Sequence, residues 1–463
     1  MLISLVRNPV KNAFLHPIAP LPIAAVTSAF FGIFFLLNRV HHLFCRGSRE
    51  IACVDYWPIS IFLPRQPPNL DFPNLAHISV AALSFLALVF ALAVLPRVGF
   101  RMWQVALVGF VLVLGTNLAH GLQFGLVRPV TGMDQGNAPY YDDAMNIDTP
   151  WALLGDYQER QLELGMHSKT HPPGPVLLFY FLGRLLPDAY MISIALALVS
   201  VLLVASVMVP ILATEFTDAH ACWVVFIFLL LPSVQIYYAT SIDALIAGLF
   251  IGSFLMFFTD SKVAVWISIA SFVLASFFTF LAVFVPAVML VFEVSTRKRI
   301  SKTAIALGGA VVFYSGLFAA TGFNYLRSFL VASAWENQSR FMLFAEPQSY
   351  IATRLEDVAE IILFFGPILA LLFLQGLLRR ADRGKLMRLA YVAFAVFVLM
   401  LTVGVYRTGE TARGALYLYP FLMIPVAYAL RDGGYPTNRS YAVLAMLVFA
   451  QSVVMQLVGD YFW

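Results

Sequence analysis

Two carboxylates stand at the start of the most polar block of the sequence, residues 140–175, which interrupts an otherwise apolar chain. Asp142 and Asp143 follow two tyrosines, just beyond an apolar segment. A carboxylate at a membrane surface can act as a general base that takes a proton from an acceptor hydroxyl. Two adjacent carboxylates can also hold a divalent cation. The plainer alternative is a solvated acidic loop.

Cationic candidates lie at the other end of this block, in the segment HSKTHPPGP. His167, Lys169 and His171 precede or adjoin a double proline, and a short apolar helix is expected to begin just after it. Cations beside a helix N-terminus could bind a phosphate held at the membrane interface. The alternative is that these side chains contact lipid headgroups.

Further charged candidates lie much later in the chain, beside apolar segments. Asp243 opens one such segment, where it could belong to a site or could cap the helix. Arg407, Glu410 and Arg413 lie in YRTGETARG, and an arginine there suits bidentate binding of a phosphate. The alternative is a local Glu410–Arg413 pair. The sequence contains no HExxH, P-loop or GxSxG motif, and nothing in it favours nucleotide hydrolysis.

The composition around these candidates indicates a membrane protein. Hydrophobic residues make up 61% of the 463 residues and charged residues only 12%, whereas about a quarter of a soluble domain is charged. Apolar segments long enough to cross the hydrocarbon core recur along the chain. The sequence therefore predicts an all-α polytopic membrane protein with about 13 transmembrane helices and a long outer loop that carries interfacial helices. The net charge of +4 is small and gives no indication of nucleic acid as a partner.

The predicted spans are defined by apolar segments between polar connections. Their bounds are residues 21–37, 78–95, 103–122, 191–212, 222–236, 244–258, 263–277, 280–292, 303–321, 358–378, 389–405, 415–430 and 441–459. A further apolar segment, residues 176–186, is too short to cross and is expected to be interfacial or re-entrant.

The basic loops predict the orientation of these spans, because Lys and Arg concentrate on the cytoplasmic side. These loops lie at residues 7–11, 97–101, 297–302, 379–388 and 431–439. With all of them inside, the polar block, Asp243 and the Arg413 loop face the outside together. The first apolar segment is expected to be a signal anchor. Cys45 and Cys53 share one outer loop, where a disulfide and two free thiols are both open interpretations.

The order of these motifs resembles the first outer loop of GT-C fold glycosyltransferases, and it is closest to the protein O-mannosyltransferase and aminoarabinose-transferase-like branch. In that comparison the family's aromatic–acidic motif is Tyr141-Asp142-Asp143, and its HPP motif begins at His171. The later aspartate of the family corresponds to Asp243 within LPSVQIYYATSID. Its late arginine-bearing loop corresponds to four positions here: Glu410, Arg413, Tyr417 and Pro420.

The resemblance implies a domain organisation. Residues 1–101 form an N-terminal extension of two spans with the cysteine loop, residues 102–430 form a GT-C-like catalytic core, and residues 431–463 form a C-terminal span. The Lys/Arg distribution predicts an active site on the extracytoplasmic face, and the lack of any organellar signal favours a bacterial plasma membrane. The Asp-Asp pair, and a stretch SFFTFLAVF without a lysine, depart from the family pattern, so the sugar is left unassigned.

The resemblance also implies a reaction. The donor is a polyprenyl-phosphate-linked sugar, whose tail lies in membrane lipid, and the acceptor is a hydroxyl of a lipid, a glycan or a protein. Asp142 or Asp143 is the implied general base of an inverting transfer. No resident cofactor is implied, and a divalent metal is left open. The residues implied in substrate binding are Tyr141, His167, Lys169, His171, Asp243, Arg407, Glu410 and Arg413. The alternative function is a transporter or flippase of a lipid-linked or amphiphilic substrate.

Overall fold

A computed structural model describes most of the chain beyond the first 73 residues. The described residues are 74–132, 140–239, 241–336, 341–345, 347–378, 384–406, 410–433, 438–459 and 461, together with Ala29 and Gly32. Every regular element in these ranges is a helix, which confirms the all-α prediction. The Cys45–Cys53 loop, Arg407 and all of the predicted first span except Ala29 and Gly32 lie outside the described residues.

The helices of the described residues are numbered here in chain order. They are α1 Leu75–Val98, α2 Met102–Ala119, α3 Arg128–Thr131, α4 Tyr140–Met145, α5 Pro150–Gly155, α6 Tyr157–Arg160, α7 Met166–Lys169, α8 Gly174–Leu185, α9 Ala189–Ala213, α10 Asp218–Leu229, α11 Pro232–Tyr237, α12 Ile242–Gly252, α13 Leu255–Phe258, α14 Lys262–Phe278, α15 Phe284–Arg297, α16 Ser301–Thr321, α17 Tyr325–Glu336, α18 Met342–Ala345, α19 Pro347–Phe365, α20 Pro367–Leu378, α21 Lys385–Thr402, α22 Thr411–Gly414, α23 Tyr419–Asp432 and α24 Asn438–Val458.

Six of these helices are long and apolar enough to cross a membrane: α1, α2, α9, α16, α21 and α24. The chain therefore has the character of a polytopic membrane protein, as its composition predicts. The expected number of about 13 spans is not confirmed within the described residues. Helix α8, over the segment that was expected to be too short to cross, has 12 residues.

Several predicted spans are interrupted by helix-breaking residues that hydropathy does not register. The predicted span at residues 358–378 becomes α19 and α20, which meet at an angle of 101°. Gly366 stands at the break with φ of 92°, a conformation that favours glycine, and Pro367 opens the next helix. Gln451 Nε2 donates to the carbonyl oxygen of Leu363 at 2.7 Å, which satisfies one acceptor beside the break.

The predicted span at residues 222–236 is also divided, by Pro232 at the start of α11. The segment at 244–258 becomes α12 and α13, and a break at Thr279 separates α14 from α15. Residues 221–239 are buried throughout, so α10 and α11 form the centre of the molecule. Helices α2, α9, α23 and α24 pack around α10.

A buried polar network holds α11 in this centre. Asn117 Nδ2 donates to the carbonyl oxygen of Gln235 at 2.7 Å, and Thr116 Oγ1 donates to Gln235 Oε1 at 2.9 Å. From α24, Gln456 Nε2 donates to the same Gln235 carbonyl at 3.3 Å. Polar groups inside an apolar bundle need such partners because there is no water to replace them. The network thus fixes the segment that leads into Asp243.

Candidate functional site

The acidic pair lies on the short helix α4, which follows the undescribed residues 133–139. Asp142 is largely exposed. The part of its carboxyl group that is removed from water, together with the neighbouring Asp143 carboxylate, raises its pKa above the ordinary value. Both carboxylate oxygens of Asp143 accept from the backbone N–H of Gly165, at 3.0 and 3.2 Å. Asp142 is therefore the freer of the two carboxylates, and Asp143 ties α4 to the segment before α7.

The first tyrosine of this helix makes more contacts with other candidates than the second. The ring of Tyr140 lies edge-on to that of His171, with centroids 5.5 Å apart, and 6.1 Å from that of His167. It also stacks on Phe179 of α8 at 6.2 Å. Tyr141 is half-buried and contacts the edge of Phe179 at 6.5 Å. The family motif drew attention to Tyr141, whereas Tyr140 reaches the histidines.

The HPPG segment is held in place by a buried tyrosine. Tyr157, which is fully buried, donates its hydroxyl to the carbonyl oxygens of Ser168 at 3.0 Å and His171 at 2.7 Å. His171 Nδ1 lies 2.8 Å from the carbonyl oxygen of His167. Because a carbonyl oxygen can only accept, Nδ1 carries the proton and Nε2 keeps its lone pair in the neutral ring.

Lys169 contacts residues that are not among the other candidates. Its ammonium nitrogen lies 5.1 Å from the ring centroid of Trp335 at the end of α17, a cation–π contact. It also lies 3.4 Å from the carbonyl oxygen of Leu162, to which it donates. The expected phosphate role of Lys169 thus has no support from its position in this structure.

Arg413 is shared between two carboxylates. Its Nη2 donates to Glu410 Oε2 at 3.1 Å, and its Nε lies 3.8 Å from Asp243 Oδ2. Asp243 follows the capping residue Ser241, whose Oγ accepts from the Asp243 N–H at 3.0 Å and donates to Asp243 Oδ2 at 2.5 Å. The residue that caps α12 is therefore Ser241, which leaves the Asp243 carboxylate available to the arginine.

These residues form one electrostatic group, called here the Arg413 cluster: Tyr140, His171, Asp243, Glu410 and Arg413. Tyr140 and His171 each interact electrostatically with both carboxylates and with the guanidinium. Burial lowers the pKa of His171, and the Asp243 carboxylate offsets that shift only in part. Burial also disfavours the charged form of Arg413, but Glu410 and Asp243 outweigh it and raise its pKa. The cluster joins segments that are far apart in sequence.

The acidic pair is linked to this cluster through α4, because Tyr140 opens the helix that carries both carboxylates. Residues three apart share one face of a helix, so Asp143 lies one turn along the face that carries Tyr140. Asp142 projects from a different face. The structure thus gathers His171, Asp243, Glu410 and Arg413. It places Asp142 and Asp143 on the helix that Tyr140 of this cluster opens, and Lys169 contacts Trp335.

Two buried carboxylates contact the Arg413 turn, and neither was expected. Thr411 Oγ1 donates to Asp357 Oδ1 at 2.5 Å, and the Ala412 N–H donates to Glu360 Oε2 at 2.9 Å. One signal for Glu360 was present in the sequence, since it is an ionisable residue inside an apolar segment. Tyr140 and Tyr157 are the other unexpected contributors, and the sequence offered no signal that separates them from packing tyrosines.

Within the described ranges, no three His, Cys, Asp or Glu side chains come together in a way that could hold a metal ion. The chain matches no protein-family model, and no curated protein matches it.

Proposed function

We propose that this protein is an integral membrane glycosyltransferase that moves a sugar from a polyprenyl-phosphate donor to an acceptor hydroxyl. The observation that carries the proposal is the convergence of Arg413, Asp243 and His171 beside the helix of Asp142. A cation with a geometry suited to phosphate thus contacts the Asp243 carboxylate, and the helix that carries Asp142 begins at Tyr140 of the same cluster, on a protein whose long helices are apolar. Such a cation and a carboxylate base are both needed for transfer from a phosphate leaving group.

Arg413 is the residue proposed to bind the donor phosphate. Its side chain is 21% exposed, so a ligand can reach a guanidinium that is largely removed from water. A planar guanidinium binds a phosphate through two parallel hydrogen bonds, and it stabilises the charge that develops as the phosphate leaves. His171 is the nearest further candidate, but the lowered pKa keeps it neutral at pH 7. Arg413 is therefore expected to supply the charge.

Asp142 is proposed as the general base. In the transfer step, Asp142 takes the proton of the acceptor hydroxyl while the acceptor oxygen forms a bond to the anomeric carbon. The bond between that carbon and the phosphate oxygen breaks, and the polyprenyl phosphate leaves with the electron pair. Attack on the face opposite the leaving group inverts the anomeric configuration. The raised pKa of Asp142 suits it to accept a proton.

The proposed location is the extracytoplasmic face of a bacterial plasma membrane. The support is the distribution of Lys and Arg, which are concentrated in loops on the other side of the predicted spans. The donor tail lies in membrane lipid in this proposal, and the acceptor is a lipid, glycan or protein that carries the hydroxyl.

The test uses purified full-length protein and a synthetic polyprenyl-phosphate sugar, with transfer to acceptor as the readout. Asp142→Asn is expected to lower kcat by about 10²–10⁴-fold, the usual contribution of a general base. Asp148→Asn is the matched control, because Asp148 is an exposed carboxylate of the same block. Full activity in both Asp142→Asn and Asp143→Asn would rule out the assignment. Arg413→Ala is expected to raise the donor KM much more than the acceptor KM.

A transporter or flippase is the second candidate, and one feature of the structure favours it. Helices α19 and α20 form an apolar pair broken at 101°, and α19 carries the buried carboxylates of Asp357 and Glu360. Broken helices with buried ionisable residues are typical of transport sites. Vesicles containing the protein separate the two functions. A transporter moves a labelled polyprenyl-phosphate sugar across the bilayer without cleaving it, whereas the proposed enzyme releases polyprenyl phosphate only when acceptor is present.

A further inference from the structure

We propose that Asp357 and Glu360 are positioning residues that hold the turn carrying Arg413 in the orientation that binds a donor phosphate. The inference rests on the proposed function and assigns to α19 a role that the motifs of the sequence do not indicate. Neither carboxylate touches the substrate in this proposal. Both act through the backbone and hydroxyl groups of the short helix α22.

The contacts with α22 come from two consecutive residues of that helix. Asp357 is 0% exposed and accepts from Thr411 Oγ1 at 2.5 Å. Glu360 is 1% exposed and accepts from the Ala412 N–H at 2.9 Å. Arg413 is the next residue. Its backbone position therefore follows directly from two hydrogen bonds to ionisable groups of α19.

The same face of α19 holds the other end of this loop. Arg354, three residues before Asp357, donates through Nη1 to the carbonyl oxygen of Leu401 at 3.0 Å and through Nη2 to that of Tyr406 at 2.9 Å. Its Nη2 also lies 3.0 Å from Asp357 Oδ2. Side chains spaced by three residues share one side of a helix. One side of α19 thus forms hydrogen bonds to the chain both before and after the undescribed residues 407–409.

Electrostatics explain why this side of α19 carries charged residues. A carboxylate removed from water is destabilising unless hydrogen bonds and an opposite charge compensate for it. The Arg354 guanidinium compensates for the charge of Asp357, to which the Thr411 hydroxyl also donates a hydrogen bond. The Ala412 N–H donates to Glu360. In return, these bonds define a four-residue helix that is too short to be stable on its own. Loss of a bond is expected to leave the turn with more than one orientation.

The Arg413 guanidinium would then meet a phosphate less often in the productive geometry. Displacement of a substrate-positioning group by about 1 Å can cost on the order of 10²-fold in rate. The effect should fall on the donor, because Arg413 contacts the phosphate in the proposed function. Acceptor binding should be unaffected.

The sharpest variant is Thr411→Val, which removes the hydroxyl donor and keeps the shape of the side chain. Thr411→Ser keeps the hydroxyl and is the matched control. Binding of a polyprenyl phosphate in detergent micelles and the two KM values are the readouts. Thr411→Val is expected to weaken polyprenyl phosphate binding about tenfold, as for a lost hydrogen bond to a charged group, and Thr411→Ser by less than about threefold. Equal changes in the donor and acceptor KM would overturn the positioning role.

A double-mutant cycle with Arg413→Ala tests whether Thr411 acts through the arginine. In the Arg413→Ala background, Thr411→Val is expected to weaken binding no further, because the group it positions is absent. Additive losses would contradict the proposal. If Thr411→Val does not purify as a monodisperse protein, Glu360→Met serves in the same cycle, since it removes the acceptor of the Ala412 N–H and keeps a side chain of similar length.

The cycle also separates this inference from the proposed function. If Arg413→Ala leaves binding of polyprenyl phosphate unchanged, the proposed function fails at its phosphate site. If Arg413→Ala weakens binding but Thr411→Val and Glu360→Met do not, the function stands and the positioning role of α19 is refuted.

Discussion

The close packing of α8 against the end of α14 makes Gly174 and Gly183 an informative pair of substitutions. Both glycines belong to α8, which begins just after the HPP motif. A Cβ on Gly174 would lie 2.2 Å from the carbonyl oxygen of Phe277 and 2.7 Å from Phe278 Cδ1. A Cβ on Gly183 would lie 2.5 Å from Met145 Cε. The first obstacle is backbone, and the second is the end of a flexible side chain.

The two substitutions therefore differ in their effect on the stability of the protein. At Gly174, the helices must separate by about 1 Å to restore ordinary van der Waals contact, and overpacking of this kind costs about 1–3 kcal/mol. At Gly183, Met145 is 43% exposed and can rotate aside. Alanine in a helix interior is then favoured over glycine by about 0.5–1 kcal/mol. We therefore expect Gly174→Ala to destabilise the protein and Gly183→Ala to be neutral or slightly stabilising.

The assay is thermal unfolding of both variants and the wild type in one detergent at one scan rate, because membrane proteins often unfold irreversibly. The comparison is the order of the apparent Tm values. Transfer activity is a second readout, since His171 lies three residues before Gly174 and should move with it. Equal Tm values for Gly174→Ala and Gly183→Ala would refute the packing argument, because both substitutions add the same methyl group to the same helix.

Two further predictions concern the break between α19 and α20 and the titration of His171. Gly366→Ala is expected to lower the apparent Tm, because φ of 92° is strained for alanine and the new Cβ would lie 2.9 Å from Gln451 Oε1. The control is Gly308→Ala in α16, where the new Cβ would meet open space, and it should not lower the apparent Tm. For His171, burial lowers the pKa in the folded protein below the ordinary 6.5. The unfolded chain therefore binds more protons between these two values, and stability should fall as the pH drops through this window. His171→Gln should reduce that dependence of Tm on pH, and an unchanged slope would show that other groups cause it.

The helical class of this protein follows from its composition, whereas the number of spans does not. An apolar segment in a bilayer must satisfy its own backbone hydrogen bonds, which leaves helices as the solution. Hydropathy cannot distinguish a spanning helix from one that is broken inside the protein, since both are apolar. Pro232 and Gly366 interrupt segments that read as continuous, whereas the break at Thr279 falls between two segments that were predicted as separate spans. Glycine and proline carry this information, and a sliding average over side chains removes it.

Part of the candidate site could likewise be predicted from the sequence, and part of it could not. His171, Asp243, Glu410 and Arg413 could be selected from the sequence because each is a polar residue at the end of an apolar segment. Their common position on one side of the membrane is a prediction from counting spans, and it stays a prediction. The direction of Lys169 could not be predicted, because it depends on the position of Trp335 in α17.

The contacts of the two buried α19 carboxylates could not be predicted from the sequence, for a related reason. Their partners are a threonine hydroxyl and a backbone N–H more than fifty residues away. Only the packing of α19 against α22 identifies them. An ionisable residue in an apolar segment can raise the question, but its partner comes from tertiary structure.

The charges around Arg413 constrain how a donor could bind. Among the described residues of the cluster, the carboxylates of Asp243 and Glu410 exceed the Arg413 guanidinium by one negative charge, and His171 with its lowered pKa adds no cation at pH 7. In the proposed function, a donor phosphate at Arg413 is therefore expected to displace a carboxylate rather than add to the cluster. Glu410 is the more exposed of the two, at 40% against 23%, and it lies on the same short turn as the arginine. Asp243 is additionally held by Ser241. We therefore expect Glu410 to act as the counter-ion of the resting site, which gives way when the phosphate arrives.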